Sequence, residues 1–227
     1  LFDFPARLNE NMQAAFKDIW SSLTSTERDV AMGWSMVYES MTVLDFARVL
    51  NKIGLEPPAG TPRFTHADTH EITQKLVAKG LVRQDGKNGW SVAPNHSESI
   101  MRFASGRPDF SFLLNEVKRE LPYKTYWQPH GPEALMREIR MAFYQQNESL
   151  YHRLQLDAQR SYPAKVAEGY FDESLFRDFE PIWVENLPSI WQFKTIKVAF
   201  NRTVASWQPV DGLIDFLESH NRIRDNN

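Results

Sequence analysis

The sequence predicts a mainly α-helical protein, with one small β-hairpin in its first half and an all-helical second half. Three observations carry this. Apolar residues recur at three- and four-residue spacing through most of the 227 residues, the mark of helices with one buried face. Between Thr65 and Pro94 the period changes to short alternating runs around Asp85-Gly86-Lys87-Asn88-Gly89, a turn rich in residues that tolerate positive φ. Beyond Pro108 the chain is punctuated by Pro122, Pro129, Pro132, Pro163, Pro181, Pro188 and Pro209, which divide helices rather than strands.

The elements follow in order. Leu8 to Leu23 places Met12, Ala15, Phe16, Ile19 and Trp20 at helical spacing. Thr24-Ser25-Thr26-Glu27 has the form of a capping box, hydroxyl first and carboxylate three residues later. The helix it opens puts Val30, Trp34, Val37, Tyr38 and Met41 on one face. Thr42 caps the next, with Val43, Phe46, Ala47, Leu50 and Ile53 as its apolar stripe. Gly54 and then Pro57-Pro58 end it. After a proline-rich loop Thr65 caps a third helix, in which Ile72, Leu76 and Val77 face inward, joined by Ala67 or Thr69, and Gly80 stops it. Leu81–Arg83 and Gly89–Val92 are the expected strands. A further helix covers 96–104. Others are expected near 109–120, 132–146, 148–160, 172–180, 188–204 and 210–223, with Trp183, Trp191 and Trp207 in their core. Ser105-Gly106-Arg107-Pro108 marks the expected joint. The predicted organisation is an N-terminal extension over 1–15, a first domain over 16–106 and an all-helical domain over 108–227.

Composition narrows the class of function. A hydrophobic content of 42% with 15 Phe, 7 Trp and 7 Tyr is ample for a packed core and excludes a disordered chain. No apolar run approaches the ~18 residues of a membrane span, so no membrane partner is expected, and Leu1–Gln13 lacks the order of a signal peptide. The absence of Cys excludes disulfides, thiolate metal sites and cysteine nucleophiles. It fits a reducing compartment, and a cytoplasmic location is expected. The chain carries a net charge of −3, so any nucleic-acid contact must rest on a local patch.

Three helices, the Lys79-Gly80-Leu81-Val82 exit and the hairpin together resemble the winged helix-turn-helix superfamily over about residues 16–104. The resemblance implies a third helix that enters the major groove of duplex DNA and a wing that meets backbone or minor groove. Many members use the same module for protein contacts instead. Carried onto this sequence, His66, Thr69, His70, Thr73 and Gln74 would form the exposed face of the third helix and hydrogen-bond to base edges or phosphates. Lys75, Lys79, Arg83 and Lys87 would contact the backbone. Between Arg63 and Lys87 five basic residues stand against three acidic ones, a local excess the whole chain lacks. Three features depart from DNA reading. The third helix has no Arg, Asp68 and Glu71 sit on its leading turns, and the loop before it is long.

Other constellations carry no chemistry. His66 and His70 share a helix face, but Ala67 stands where the HExxH zinc motif requires Glu, and the sequence sets no third ligand. Gly86-Lys87-Asn88 lacks the upstream glycine and the following Ser or Thr of a phosphate loop. Glu116/Glu120 and Glu133/Arg137 read as solvated helix faces. Tyr123, Lys124, Tyr126, Trp127 and His130, packed between prolines, suit a stacking platform for single strands or, preferred here, a loop whose rings seal an interface. The expectation is a non-enzymatic nucleic-acid-binding or regulatory module without a cofactor or metal, serving as the accessory region of a larger DNA-acting protein. Its helical domain would bind a protein partner or self-associate. The alternative is a protein-interaction scaffold whose third helix never meets nucleic acid. Salt dependence separates the two, because phosphate contacts release counterions.

Overall fold

A computed structural model describes residues 14–123, 131–173, 175, 179–206 and 212–224. The expectations for Lys124, Tyr126, Trp127, His130 and Trp207, and for the first turns of the helix at 8–23, lie outside the described residues. Packing divides the chain into a unit over Phe16–Val166 and a second unit that takes in the residues from Ala167 onward. The described residues are mainly helical, with a two-stranded antiparallel hairpin. Among them no helix is long and apolar enough to cross a membrane.

The first helix, α1, covers residues 14–21, and the first unit takes it in from Phe16. The capping box forms as its residues require. The Thr24 hydroxyl accepts from the Glu27 N–H, the Glu27 carboxylate accepts from the Thr24 N–H, and α2 runs Ser25–Val37. Thr42 caps α3, Val43–Ile53. Trp34 of α2 stacks on Phe46 of α3 with ring centroids 3.6 Å apart. Gly33 allows this close crossing, since a Cβ there would stand 2.8 Å from Leu50 Cδ2 and 3.1 Å from Phe46 Cζ. Thr65 and Asp68 form a second capping box at the start of α4, His66–Ala78.

The exit from α4 aims the hairpin. Gly80 takes φ of 75°. The Gly80 N–H then bonds to the Val77 carbonyl and the Leu81 N–H to the Leu76 carbonyl, both at 2.9 Å. This is the Schellman pairing that ends a helix through a left-handed residue. β1, Val82–Asp85, follows at once and pairs with β2, Gly89–Val92, in the register Val82 with Val92 and Gln84 with Trp90. The first strand therefore starts and ends later than the expected 81–83. Met41, between α2 and α3, exchanges two backbone hydrogen bonds with Trp90 (3.1 and 2.9 Å), a single bridge on the other edge of β2. Val43, Phe46, Leu50, Ile72, Leu76, Val82 and Trp90 are all buried, as the periodicity predicts.

α5 covers Pro94–Ser105, α6 Phe110–Glu120, α7 Pro132–Tyr144 and α8 Glu148–Ser161. Ser105–Pro108, the expected joint between two domains, is a turn within the first unit, which continues through it to Val166. Arg107 binds across that turn, to Asp29 of α2 at 2.6 Å and to Asp109 at 2.8 Å. α6 packs on α2, α3 and α5, and α7 on α2, α5 and α8.

α9, Pro163–Ala167, leads out of this unit. The second unit contains α10 (Tyr170–Glu173), α11 (Pro181–Glu185), α12 (Ser189–Ser206) and α13 (Leu213–Arg224). Its core joins Phe179, Val184, Ala199, Leu213 and Phe216, with Trp183 and Ile196 packed against it. Trp191 is buried as expected.

Candidate docking surface of α4 and the hairpin

The outward face of α4 is narrower than the sequence suggests. His66, His70 and Gln74 are exposed, four residues apart, and form one row. The His66 and His70 rings stack nearly parallel at 5.9 Å, and Trp90 of β2 meets His70 edge-on at 6.2 Å. Thr69 and Thr73 do not belong to this row. Both are fully buried, a correction to their expected role in reading bases, and for Thr69 the inward placement that the apolar stripe also allowed. The Thr69 hydroxyl donates to the Thr65 carbonyl at 2.8 Å, and Thr73 Oγ1 accepts from the Trp34 indole N–H at 3.4 Å. The cause is spacing: Thr69, Ile72, Thr73 and Leu76 fall on one side of the helix, and threonine's methyl lets it sit in a core once its hydroxyl is bonded.

The expected phosphate-binding cations are mostly engaged already. Lys75 pairs with Glu71 at 2.8 Å, and this contact pushes the ammonium pKa up. Lys79 donates to the Ser22 hydroxyl at 2.7 Å. Arg83 pairs with Asp85 at 3.0 Å and donates to the Ser91 hydroxyl at 3.3 Å, while that hydroxyl donates to Asp85. Lys87 stands exposed at the hairpin tip, where its carbonyl accepts from the Gln84 amide at 3.2 Å.

The flank of α4 toward α2 is acidic. A recess of about 290 Å³ lies there, lined by Glu27, Asp68, Glu71, Ile72, Lys75 and the Pro58–Ala59 turn. Glu27 and Asp68 are the carboxylates of the two capping boxes, so the same residues that start the helices give this surface its charge. Only the motif spacing hinted at that. Among the described residues no group of three or more His, Cys, Asp or Glu could hold a metal ion.

A second polar cluster, unannounced in the sequence, is interior. Arg140 of α7 and Glu98 of α5, each 1% exposed, form an ion pair. Arg140 also donates to the Ser97 hydroxyl at 2.7 Å and lies over the Tyr38 ring at 4.0 Å. Tyr38 is the left-handed C-cap of α2. The Tyr144 phenol donates to Glu98. Burial first, and then the Glu98 charge, hold that phenol well above its usual pKa. Arg137, expected on a solvated face, is 2% exposed and binds Glu39, Glu138 and the Leu121 carbonyl. Burial raises the Glu138 pKa against the pull of Arg137 and Lys118, and burial lowers that of Lys118. This cluster fastens α7 to α5 and to the end of α2.

Set against protein-family models, curated proteins and solved structures, the chain matches none of them.

Proposed function

We propose that the first unit contains a winged-helix module that works by docking onto another protein, through the His66–His70–Gln74 row of α4 and the hairpin, and that it catalyses no reaction. The winged-helix reading is supported by the order of α2, the Met41 bridge, α3, α4 and the paired strands β1 and β2. The choice of protein over duplex DNA rests on one observation. Lys75, Lys79 and Arg83 are held by partners inside the surface, two of them by carboxylates. A phosphate contact would have to displace those carboxylates or work against them, and its counterion-release gain would shrink.

The test is an anisotropy titration of the full chain with a duplex of about 20 base pairs at about 50 to 200 mM salt. The expected result is weak binding with a shallow salt slope, unaffected by Lys87→Ala. Binding that steepens with each phosphate contact, and loses about one unit of slope on Lys87→Ala, would replace the proposal by the DNA reading. In that case His66, His70 and Gln74 would be the residues facing the bases.

A further inference from the structure

Helix α12 is apolar on two opposite sides. Trp191, Thr195 and Ala199 are buried, and Ala199 lies in the core of its unit. On the other side Ile190, Phe193, Phe200 and Val204 are 40%, 64%, 54% and 58% exposed. At 3.6 residues per turn these two sets lie about 180° apart around the helix. A helix with one face in water carries polar residues there, and apolar residues on both faces belong to a helix covered on both. The four exposed side chains offer on the order of 400 Å² of surface, within the range of the largest apolar patch on a monomer, which is often a functional one.

The spacing says what kind of surface fits. With Lys197 included, the outer positions are Ile190, Phe193, Lys197, Phe200 and Val204, alternately three and four residues apart. That is the narrow seam of a two-helix coiled coil, not the broad apolar face of a helix lying in a lipid interface. The charge says which partner. α12 carries Lys194, Lys197 and Arg202 and no acidic residue. Paired with a second α12 in register, Lys197 would meet its own equivalent at the centre of the seam, with no carboxylate on either helix. A helix with Asp or Glu at the facing position pairs the ammonium and lets the apolar residues on either side close.

We propose that the outer seam of α12 binds an acidic amphipathic helix of a partner protein, with apolar residues at the same three-and-four spacing and a carboxylate opposite Lys197. The inference is independent of the α4 reading. The probe is a fluorescein-labelled helical peptide of about three heptads, with Leu at its seam positions and Glu at the central seam position and along its flanks. Its control has Lys in place of each Glu. The full chain is expected to bind the Glu peptide and to prefer it over the Lys peptide by at least about tenfold. Lys197→Glu should invert that preference, a gain of binding that misfolding cannot mimic. Phe193→Ser with Phe200→Ser should remove binding of both peptides. Equal binding of the two peptides, or none, overturns the proposal. So does a dimer in sedimentation that the double Phe variant dissociates, which would assign the seam to a second copy. Binding to phosphatidylserine vesicles, lost in the same variant while the peptide is ignored, would assign it to a membrane surface.

Discussion

Helices α7 and α12 invert the usual relation between residue type and position. Every residue from Ala134 to Tyr144 of α7 is buried, including Arg137, Glu138 and Arg140. α12, with no acidic residue, exposes Phe193 and Phe200. Polarity alone places neither the arginines of α7 nor the phenylalanines of α12. The arginines of α7 stay inside because carboxylates, a carbonyl and an aromatic ring receive them. Among the described residues the phenylalanines of α12 have no such receiver, and they stand exposed.

The largest expected effect comes from breaking the pairing inside α7. Arg140→Ala leaves the Glu98 carboxylate buried without its cation, which costs about 3–5 kcal/mol. Replacing both together, Arg140→Met with Glu98→Leu, should recover most of that loss in urea unfolding. A double variant as unstable as the single one would mean the cluster holds α7 by shape and not by charge.

A smaller effect is expected at Thr73, the residue that moved from the candidate surface into the core. Thr73→Val strips the Trp34 indole N–H of its acceptor, and at 3.4 Å the bond is long, so the loss should be about 1 kcal/mol. Binding of any partner to α4 should be unchanged. Reduced affinity with unchanged stability would return Thr73 to the surface.

The third effect is a slope against pH. Burial raises the folded pKa of Glu138 above its unfolded value. Its contribution to stability is therefore complete below the unfolded glutamate value of about 4.3, and is lost as pH rises through the folded value. Glu138→Gln cannot lose that contribution. The stability of the variant relative to the parent should rise between acid and neutral pH. A difference that is flat, or that falls, would mean Arg137 and Lys118 fully offset the burial.

The smallest effect is the one residue type would rank high. Phe193→Ser removes a large apolar side chain, yet at 64% exposure the change in stability should stay within about 0.5 kcal/mol. A loss near that of a core phenylalanine would show that the seam is already covered.

Local signals in the sequence were legible where a few neighbouring residues decide the outcome. Thr24 with Glu27, Thr65 with Asp68, and Gly80 fix helix ends through their own hydrogen bonds, and the expected boundaries of α5 through α8 differ from those observed by at most two residues. What depends on distant partners was not legible. Thr69 fits both faces of α4 in the sequence and proves inward, whereas Thr73 read as polar, because only Trp34, far away in sequence, explains a buried hydroxyl there. Arg137 read as a solvated partner of Glu133, because Glu39 and the Leu121 carbonyl are remote from it. The turn at 105–108 is a real break between helices, but composition cannot reveal that Arg107 reaches Asp29 of α2. Of the candidate surface, His66, His70, Gln74 and Lys87 are exposed as expected, while the pairing of Lys75 and Arg83 with acidic neighbours emerged only from geometry.

If α7 is closed and the outer seam of α12 is left open for the proposed helix, the two must differ in access from solvent. The chain contains no Cys, so single cysteines can be placed cleanly. That difference is read by the thiol-labelling rate of the chain bearing Phe193→Cys, set beside the same chain bearing Met141→Cys. Cys at 193 should react as fast as in an unfolded peptide, and Cys at 141 at least about a thousandfold more slowly, because labelling there requires unfolding. Equal protection at both positions would contradict an open seam, since the chain itself would then cover α12.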